Sequence, residues 1–202
     1  MPLIVDHDER RRRFASIAGR LIAVQGVEAI TLRDVAREAG CSTAAVLHYF
    51  RDKLHLLLSA CNEARARALA CVEQARTGGA SPMDCLAEFL PLDEQRRLDW
   101  LMWFGFWGKA AAEPAIATER MEGVGNAHGL MMQLLTEIDP PIACDLSKLA
   151  TSVQAVINGI ASLAVIDVEH WSAERQRLVL RSLLQPILLG HGHAGNGLRV
   201  VS

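Results

Sequence analysis

Six polar side chains between residues 31 and 53, Thr31, Ser42, Thr43, His48, Tyr49 and Lys53, form the one grouping whose types and spacing point to a definite chemistry. Hydroxyls, an imidazole, a phenol and an ammonium offer donors to phosphate oxygens and to the edges of bases. They serve that purpose only if short helices present them, because sequence is read where a helix enters the major groove.

The segment TLRDVAREAGCSTAAVLHYFRDK supplies such helices. Leu32, Val35, Ala36 and Ala39 fall at i, i+3, i+4 and i+7 and give the first helix one apolar face. Thr31 is its natural N-cap, and Gly40 follows the last apolar position, where positive φ lets the chain turn. Ser42 can cap a second helix running through Ala44, Ala45, Val46 and Leu47 to Tyr49 and Phe50, and Asp52 can cap a third. This is a helix-turn-helix, which lays its second helix in the major groove. An ordinary amphipathic pair shares the periodicity, with Tyr49 as a core-edge aromatic and His48 as an exposed helix residue. The order of cap, Gly turn, cap, aromatic pair, Asp and Lys favours DNA reading.

The chain has 202 residues, enough for one large or two small domains, and a net charge of -2 that argues against a general nucleic-acid coat. The distribution says more than the sum: residues 1–55 carry nine Lys or Arg against seven Asp or Glu, and the rest 12 against 16. Arg10 to Arg13 head a first helix whose apolar face is Phe14, Ile17, Ala18, Leu21 and Ile22. That basic run either reaches phosphate or a minor groove, or is a solvated face. With no leader and no membrane span expected, the protein is expected to be cytoplasmic. Cys41, Cys61, Cys71, Cys85 and Cys144 contain no CxxC pair, so they read as buried small hydrophobes rather than a disulfide framework or a zinc site. His191 and His193 lie in a Gly-rich tail ill suited to a rigid metal site, and neither metal nor cofactor is expected.

Beyond residue 58 a helical period continues, with breaks expected at 77–82, Pro91, Pro114, Gly123 to Gly129, Pro140 to Pro141 and 169–172. The fold expected is all-α with about nine helices: three in a head, a long connecting helix from Asp52 to about Arg76, and five in a body. The corresponding domains are 1–55, a body over 56–190 and a mobile tail over 191–202. Within LDWLMWFGFWGKAA, Trp100, Trp103, Phe104 and Trp107 share a face at i, i+3, i+4 and i+7 on a helix apolar almost all round, which predicts an interior course. Rings of this kind either pack a core or, with Gly105 and Gly108 leaving room, line an apolar ligand cavity able to attract a cation. Gly123, Gly125 and Gly129 would loosen a helix enough to gate it, or mark a bend.

Two last helices, 146–168 and 172–189, carry more apolar width than one side of a monomer needs. Leu149, Val153, Val156, Ile157, Ile160, Leu163 and Ala164 line the first, and Leu178, Leu180, Leu183, Leu184, Ile187 and Leu188 the second. Gln154 and Asn158 are candidates to point into the ligand cavity, with an interhelical hydrogen bond as the competing explanation. Asp99, Glu113 and Asp145 are scattered, so no acid–base pair is visible. A helical interaction module, or an α-helical enzyme using the aromatic cavity, remain the alternatives to DNA reading.

Gly40, Cys41 and Ser42, then His48, Tyr49, Phe50, Asp52, Lys53 and Leu54, resemble the TetR-family signature, and Gly26, Val27, Ala29, Ile30 and Thr31 resemble its usual lead-in. The match covers roughly residues 10–58. Ala44 stands where the family often has Gly, and Leu47 where it often has a Tyr that touches the DNA backbone. The resemblance implies DNA contacts by Thr31, Arg33, Ser42, Thr43, Ala45, His48, Tyr49 and Lys53, with Leu47 left out. Residues 90–116, and more loosely to 189, resemble the ligand-binding domain of the BetI-like, choline-responsive branch without identifying the ligand. Together the two resemblances imply a repressor that reads a palindromic operator as a homodimer through residues 146–189 and is released by a small-molecule effector. Trp100, Trp103, Phe104, Trp107 and Asn158 are the effector candidates.

Overall fold

The computed structural model describes residues 7–138 and 145–190, apart from the side chains of 187, 189 and 190. Cys144, His191, His193, the Pro140 to Pro141 break and the tail over 191–202 lie outside them. The described residues form nine α-helices and no strand: α1 (His7–Gln25), α2 (Leu32–Glu38), α3 (Thr43–Leu47), α4 (Lys53–Thr77), α5 (Pro82–Ala87), α6 (Glu94–Ala110), α7 (Pro114–Thr136), α8 (Leu146–Ile166) and α9 (Ala173–Gly190).

Two compact units divide the chain: Met1–Ala70 with Asp93–Val124, and Cys71–Leu92 with Gly125–Ser202. The boundary expected at residue 55 falls inside the first unit, within α4. Unit 1 therefore contains the three head helices, most of α4, all of α6 and the start of α7.

The core of unit 1 follows from the α1 stripe. Phe14, Ala18 and Ile22 meet Val35 and Ala36 of α2, Val46 of α3, Phe50, and Leu56 and Leu57 of α4, all buried. Met102 and Phe106 of α6 and Ile116 of α7 complete the same core. Gly19 lets α6 come close, since a Cβ there would stand 3.3 Å from the Met102 sulfur.

A second tie between α4 and α6 is ionic. Arg67 donates from Nη2 and Nε to the two oxygens of Asp99, at 2.6 and 3.2 Å, and Gln95 donates to the same carboxylate at 3.2 Å. Asp99 is 6% exposed, so its charge is tolerable only because these donors replace water.

Four local expectations are corrected. The second head helix stops at Leu47 rather than running to Phe50, because the Val46 carbonyl accepts from both Tyr49 and Phe50, at 3.0 Å each, closing the helix as Phe50 turns into the core. α6 is not interior on all sides: Asp99, Trp100, Met102 and Phe106 are buried, whereas Trp103, Phe104 and Trp107 are half-buried and Gly108 is exposed. α7 runs unbroken through Gly123, Gly125 and Gly129, since glycine costs a helix only about 1 kcal/mol per position and the intrahelical bonds remain. Cys41 is exposed on the outside of the α2–α3 turn, although Cys61 and Cys85 are buried and burial pushes the Cys61 thiol up to about 12.

In unit 2, α8 buries Leu149, Val153, Ile157, Ile160 and Ala164, and α9 buries Gln176, Leu180 and Leu184. The Gln176 amide donates to the Pro91 and Trp171 carbonyls at 3.1 and 2.9 Å, pinning the start of α9. Arg177 holds Glu88 at 2.8 Å, and Arg181 pairs with Asp84, so α5 is clamped to α9 by two ion pairs. Leu163, Ile166, Leu178 and Leu183 remain exposed on the other sides of α8 and α9. By length and composition alone, α8 is the one helix among the described residues long and apolar enough to cross a membrane. Its buried face belongs to the packing of unit 2.

Asp99→Ala would leave the Arg67 guanidinium with only Glu63, 4.0 Å away. It is expected to lower the unfolding free energy by roughly 3 kcal/mol in urea denaturation, the low end for a broken buried pair.

Candidate nucleic-acid interface and effector region

The turn that presents α3 is built from two caps and a glycine. Thr31 closes a capping box on α2: its Oγ1 accepts from Asp34 N–H at 3.2 Å, while its own N–H donates to Asp34 Oδ2 at 3.0 Å. The Thr31 hydroxyl also donates to Asp34 Oδ2 at 2.6 Å. These bonds hold the Asp34 carboxyl below the ordinary aspartate range, with the Thr31 side chain the first cause. Gly40 has φ +68°, which turns the chain out of α2, and Ser42 Oγ accepts from Ala45 N–H at 3.2 Å to start α3.

α3 has five residues, too few to persist alone. It is held by Val46, which is buried, and by Phe50 just beyond it. The positions left facing outward are Ser42, Ala44, Leu47 and His48, with Thr43, Ala45 and Tyr49 half-buried. Leu47 is 47% exposed, so an apolar side chain stands where the family often places a tyrosine.

α1 braces the far end of α3. The Tyr49 ring lies 4.4 Å from His7 and 5.5 Å from Phe14, centroid to centroid, and His48 meets both His7 and Tyr49 edge-on at 5.7 and 5.2 Å.

The expected contact residues are differently committed. Arg33 is exposed. Lys53 donates to the Glu28 carbonyl at 2.8 Å, which leaves an ammonium two further donors. Thr31 has spent both its hydroxyl proton and its N–H on Asp34, so only Ser42 and Thr43 among the hydroxyls keep a donor without breaking a cap. In the basic run, Arg11 reaches His55 and Ser59 at 3.3 and 3.4 Å, and Arg13 reaches the Ala39 carbonyl at 3.4 Å. Arg10 and Arg12 are exposed.

Elsewhere in unit 1, the Glu28 carboxylate takes Lys109, near the end of α6, at 2.5 Å, and that bond holds its carboxyl below the ordinary range. Glu28 thus touches the first residue of α4 with its backbone and the end of α6 with its side chain.

The α6 aromatics form a connected row. Trp100 meets Trp103 and Phe104 at 5.3 and 5.5 Å, and Phe104 meets Trp107 edge-on at 4.8 Å. A Cβ at Gly105 or Gly108 would find nothing within 4 Å, so no neighbour presses on the helix there. The guanidinium of Arg120, on α7, lies over the Trp107 ring at 4.9 Å from its centroid. Sequence reasoning missed Arg120 because it meets Trp107 across the turn between two helices, where no local spacing signals it. Asn158, the remaining effector candidate, is half-buried on α8 and belongs to unit 2. Among the described residues no group of three or more His, Cys, Asp or Glu is placed to hold a metal.

A capped helix-turn-helix on an otherwise all-helical chain defines the class: a helix-turn-helix DNA-binding regulator. Residues 16–60 match the family described as bacterial regulatory proteins of the tetR family, and residues 83–189 match the BetI-type transcriptional repressor C-terminal family. The chain belongs to the TetR family of transcriptional regulators, with a BetI-type C-terminal region. It is 24% identical over 192 residues to the HTH-type transcriptional regulator PksA of Bacillus subtilis, covering 93% of this chain and 94% of that one. Among solved structures it resembles a transcriptional regulator from Rhodococcus sp. Rha1 with a TM-score of 0.76 and 26% identity, over 89% of this chain and 96% of that one. It also shares its fold with a transcriptional regulator from Saccharomonospora viridis in complex with choline, with a TM-score of 0.74 and 24% identity over 89% and 97% of the two chains.

Because Thr31 depresses the Asp34 pKa, the capping box contributes stability that is complete above the ordinary aspartate range and is lost as pH falls through the lowered value. Asp34 in the wild type should therefore titrate below the ordinary aspartate range by carboxyl NMR. Thr31→Val should raise that midpoint and lower stability by about 1 kcal/mol.

Proposed function

We propose that the protein acts in the cytoplasm as a homodimeric repressor that reads a palindromic operator and is released by a small molecule held on the Trp100–Trp107 row. One observation carries the coupling in this reading: α6 buries Met102 and Phe106 in the same core as α1, α3 and Phe50, while Trp103, Phe104 and Trp107 of its aromatic row stay half-buried. A ligand that shifts α6 therefore acts on the scaffold that aims α3.

Thr43 and Ala45 are assigned to base edges, and Arg33, Ser42, His48, Tyr49 and Lys53 to phosphates flanking them. Thr31 acts through its cap rather than through a free hydroxyl. Two heads set about 34–36 Å apart meet successive major grooves and double the sequence read. A ten-fold loss of operator affinity requires about 1.4 kcal/mol of difference between the effector's affinities for the two states. Tight binding alone gives no release.

Dimerisation is supported by the exposed apolar side chains of α8 and α9, chief among them Ile166 at 83% and Leu178 at 64% exposure. In water such side chains favour association with a like surface. Both helices would pair with those of a second copy as a four-helix bundle.

Two experiments test this reading. Genomic fragments retained by the protein should contain discrete palindromes, with affinity falling steeply as salt rises. Arg33→Ala should weaken all sites and lower the logarithmic salt slope by about one, whereas Thr43→Val should change which sequence is retained. Retention of no discrete sites would overturn DNA reading. Leu178→Glu should shift the sedimentation profile from dimer to monomer, and an unchanged dimer would place the interface elsewhere.

A further inference from the structure

Arg120 is the one lysine or arginine that α4, α6 and α7 contribute to unit 1 for which the described residues supply no oxygen partner. Arg65 holds Glu119 at 2.7 Å and Arg67 holds Asp99 at 2.6 Å. Lys109 holds Glu28 at 2.5 Å, and Arg96 and Arg97 hold Asp93 and Glu94, each at 2.7 Å. Glu119, adjacent to Arg120 in sequence, is thus already committed to Arg65, and Asn62 donates to it as well at 3.3 Å.

Arg120 instead stacks on Trp107, the last ring of the aromatic row, and its Nε is buried without a hydrogen-bond partner. A buried N–H on a charged group is costly to leave unpaired. Nε belongs to the edge of the guanidinium that grips a carboxylate by two parallel bonds. Arg120 as a whole is half-buried, so part of the side chain reaches solvent. Beside it, Trp103, Phe104 and Trp107 offer half-buried ring surface for an apolar body. The same cation occupies a face of Trp107 and repels a second cation, so this end of the row does not suit a quaternary ammonium group.

Resting on the reading of this row as the effector site, we propose that the effector is an organic carboxylate. Its anionic head pairs with Arg120, and its apolar body lies along Trp107, Phe104 and Trp103.

Octanoate and 3-phenylpropionate, their uncharged amides, and choline are titrated into the full-length protein while tryptophan emission is followed. At least one carboxylate is expected to bind about ten-fold or more tightly than its amide and more tightly than choline, as a charge-assisted pair requires. Arg120→Gln should bring the carboxylate-to-amide ratio close to one, and Arg120→Lys should keep part of it. Equal binding of acid and amide, no binding of either acid, tighter binding of choline, or an unchanged ratio in Arg120→Gln would each overturn the assignment. The wild-type ratio needs no variant to fold. Operator selection is measured without ligand, so a missing carboxylate preference leaves DNA reading standing, and a failure to select DNA leaves the carboxylate preference intact.

Discussion

The burial of Val46 and Phe50 against Phe14 is the contact on which the DNA-reading end depends. A helix of five residues forms barely one turn and cannot hold itself together by its own hydrogen bonds. α3 exists because Val46 is fully buried beneath it and Phe50 anchors the chain immediately after it. The caps at Thr31 and Ser42 set where α2 and α3 begin, but the core sets their angle and stops α3 at Leu47. Nearby surface chemistry, from the exposed Leu47 to the rings of His48 and Tyr49, inherits its placement from that one apolar contact.

The same core reaches the helix that carries the aromatic row. Met102 and Phe106 enter it from α6, Ile116 enters it from α7, and Arg67 with Asp99 locks α4 to α6. A purely apolar contact between α4 and α6 would slide more easily than a fork of two hydrogen bonds onto a nearly buried carboxylate. Packing rather than chain order therefore makes α6 a neighbour of the head, which is why unit 1 gathers residues from both sides of the 71–92 segment. An aromatic row on such a helix, with Trp103 packed against the same core, is well placed to be felt by the scaffold beneath it. Close packing transmits a displacement because core side chains have few alternative arrangements.

Part of this was legible in the residues. Thr31, Gly40, Ser42 and Asp52 announce their roles because capping and positive φ are local, settled within three or four residues of chain. The number and order of helices follow from hydrophobic period and from Pro82 and Pro114, each in a helix's first turn. The limits appear where local signals compete with packing. Three glycines argue for a break in α7 and none occurs, because each costs less than the contacts that keep the helix whole. An all-round apolar α6 argues for an interior course, yet the helix has a buried side through Met102 and Phe106 and a half-buried one through Trp103 and Trp107.

The set of helices, their caps, and the helix-turn-helix that places the chain in its family were determined by the sequence itself, because each is encoded in side chains a few positions apart. Tertiary structure alone decided that Asp99 is not a stray acid but the partner of Arg67, that Lys53 and Lys109 share Glu28, and that Arg120 comes to rest on Trp107. These partners are 13 to 81 residues apart in sequence. Whether they meet is settled by how helices pack around a common core, which no local spacing records.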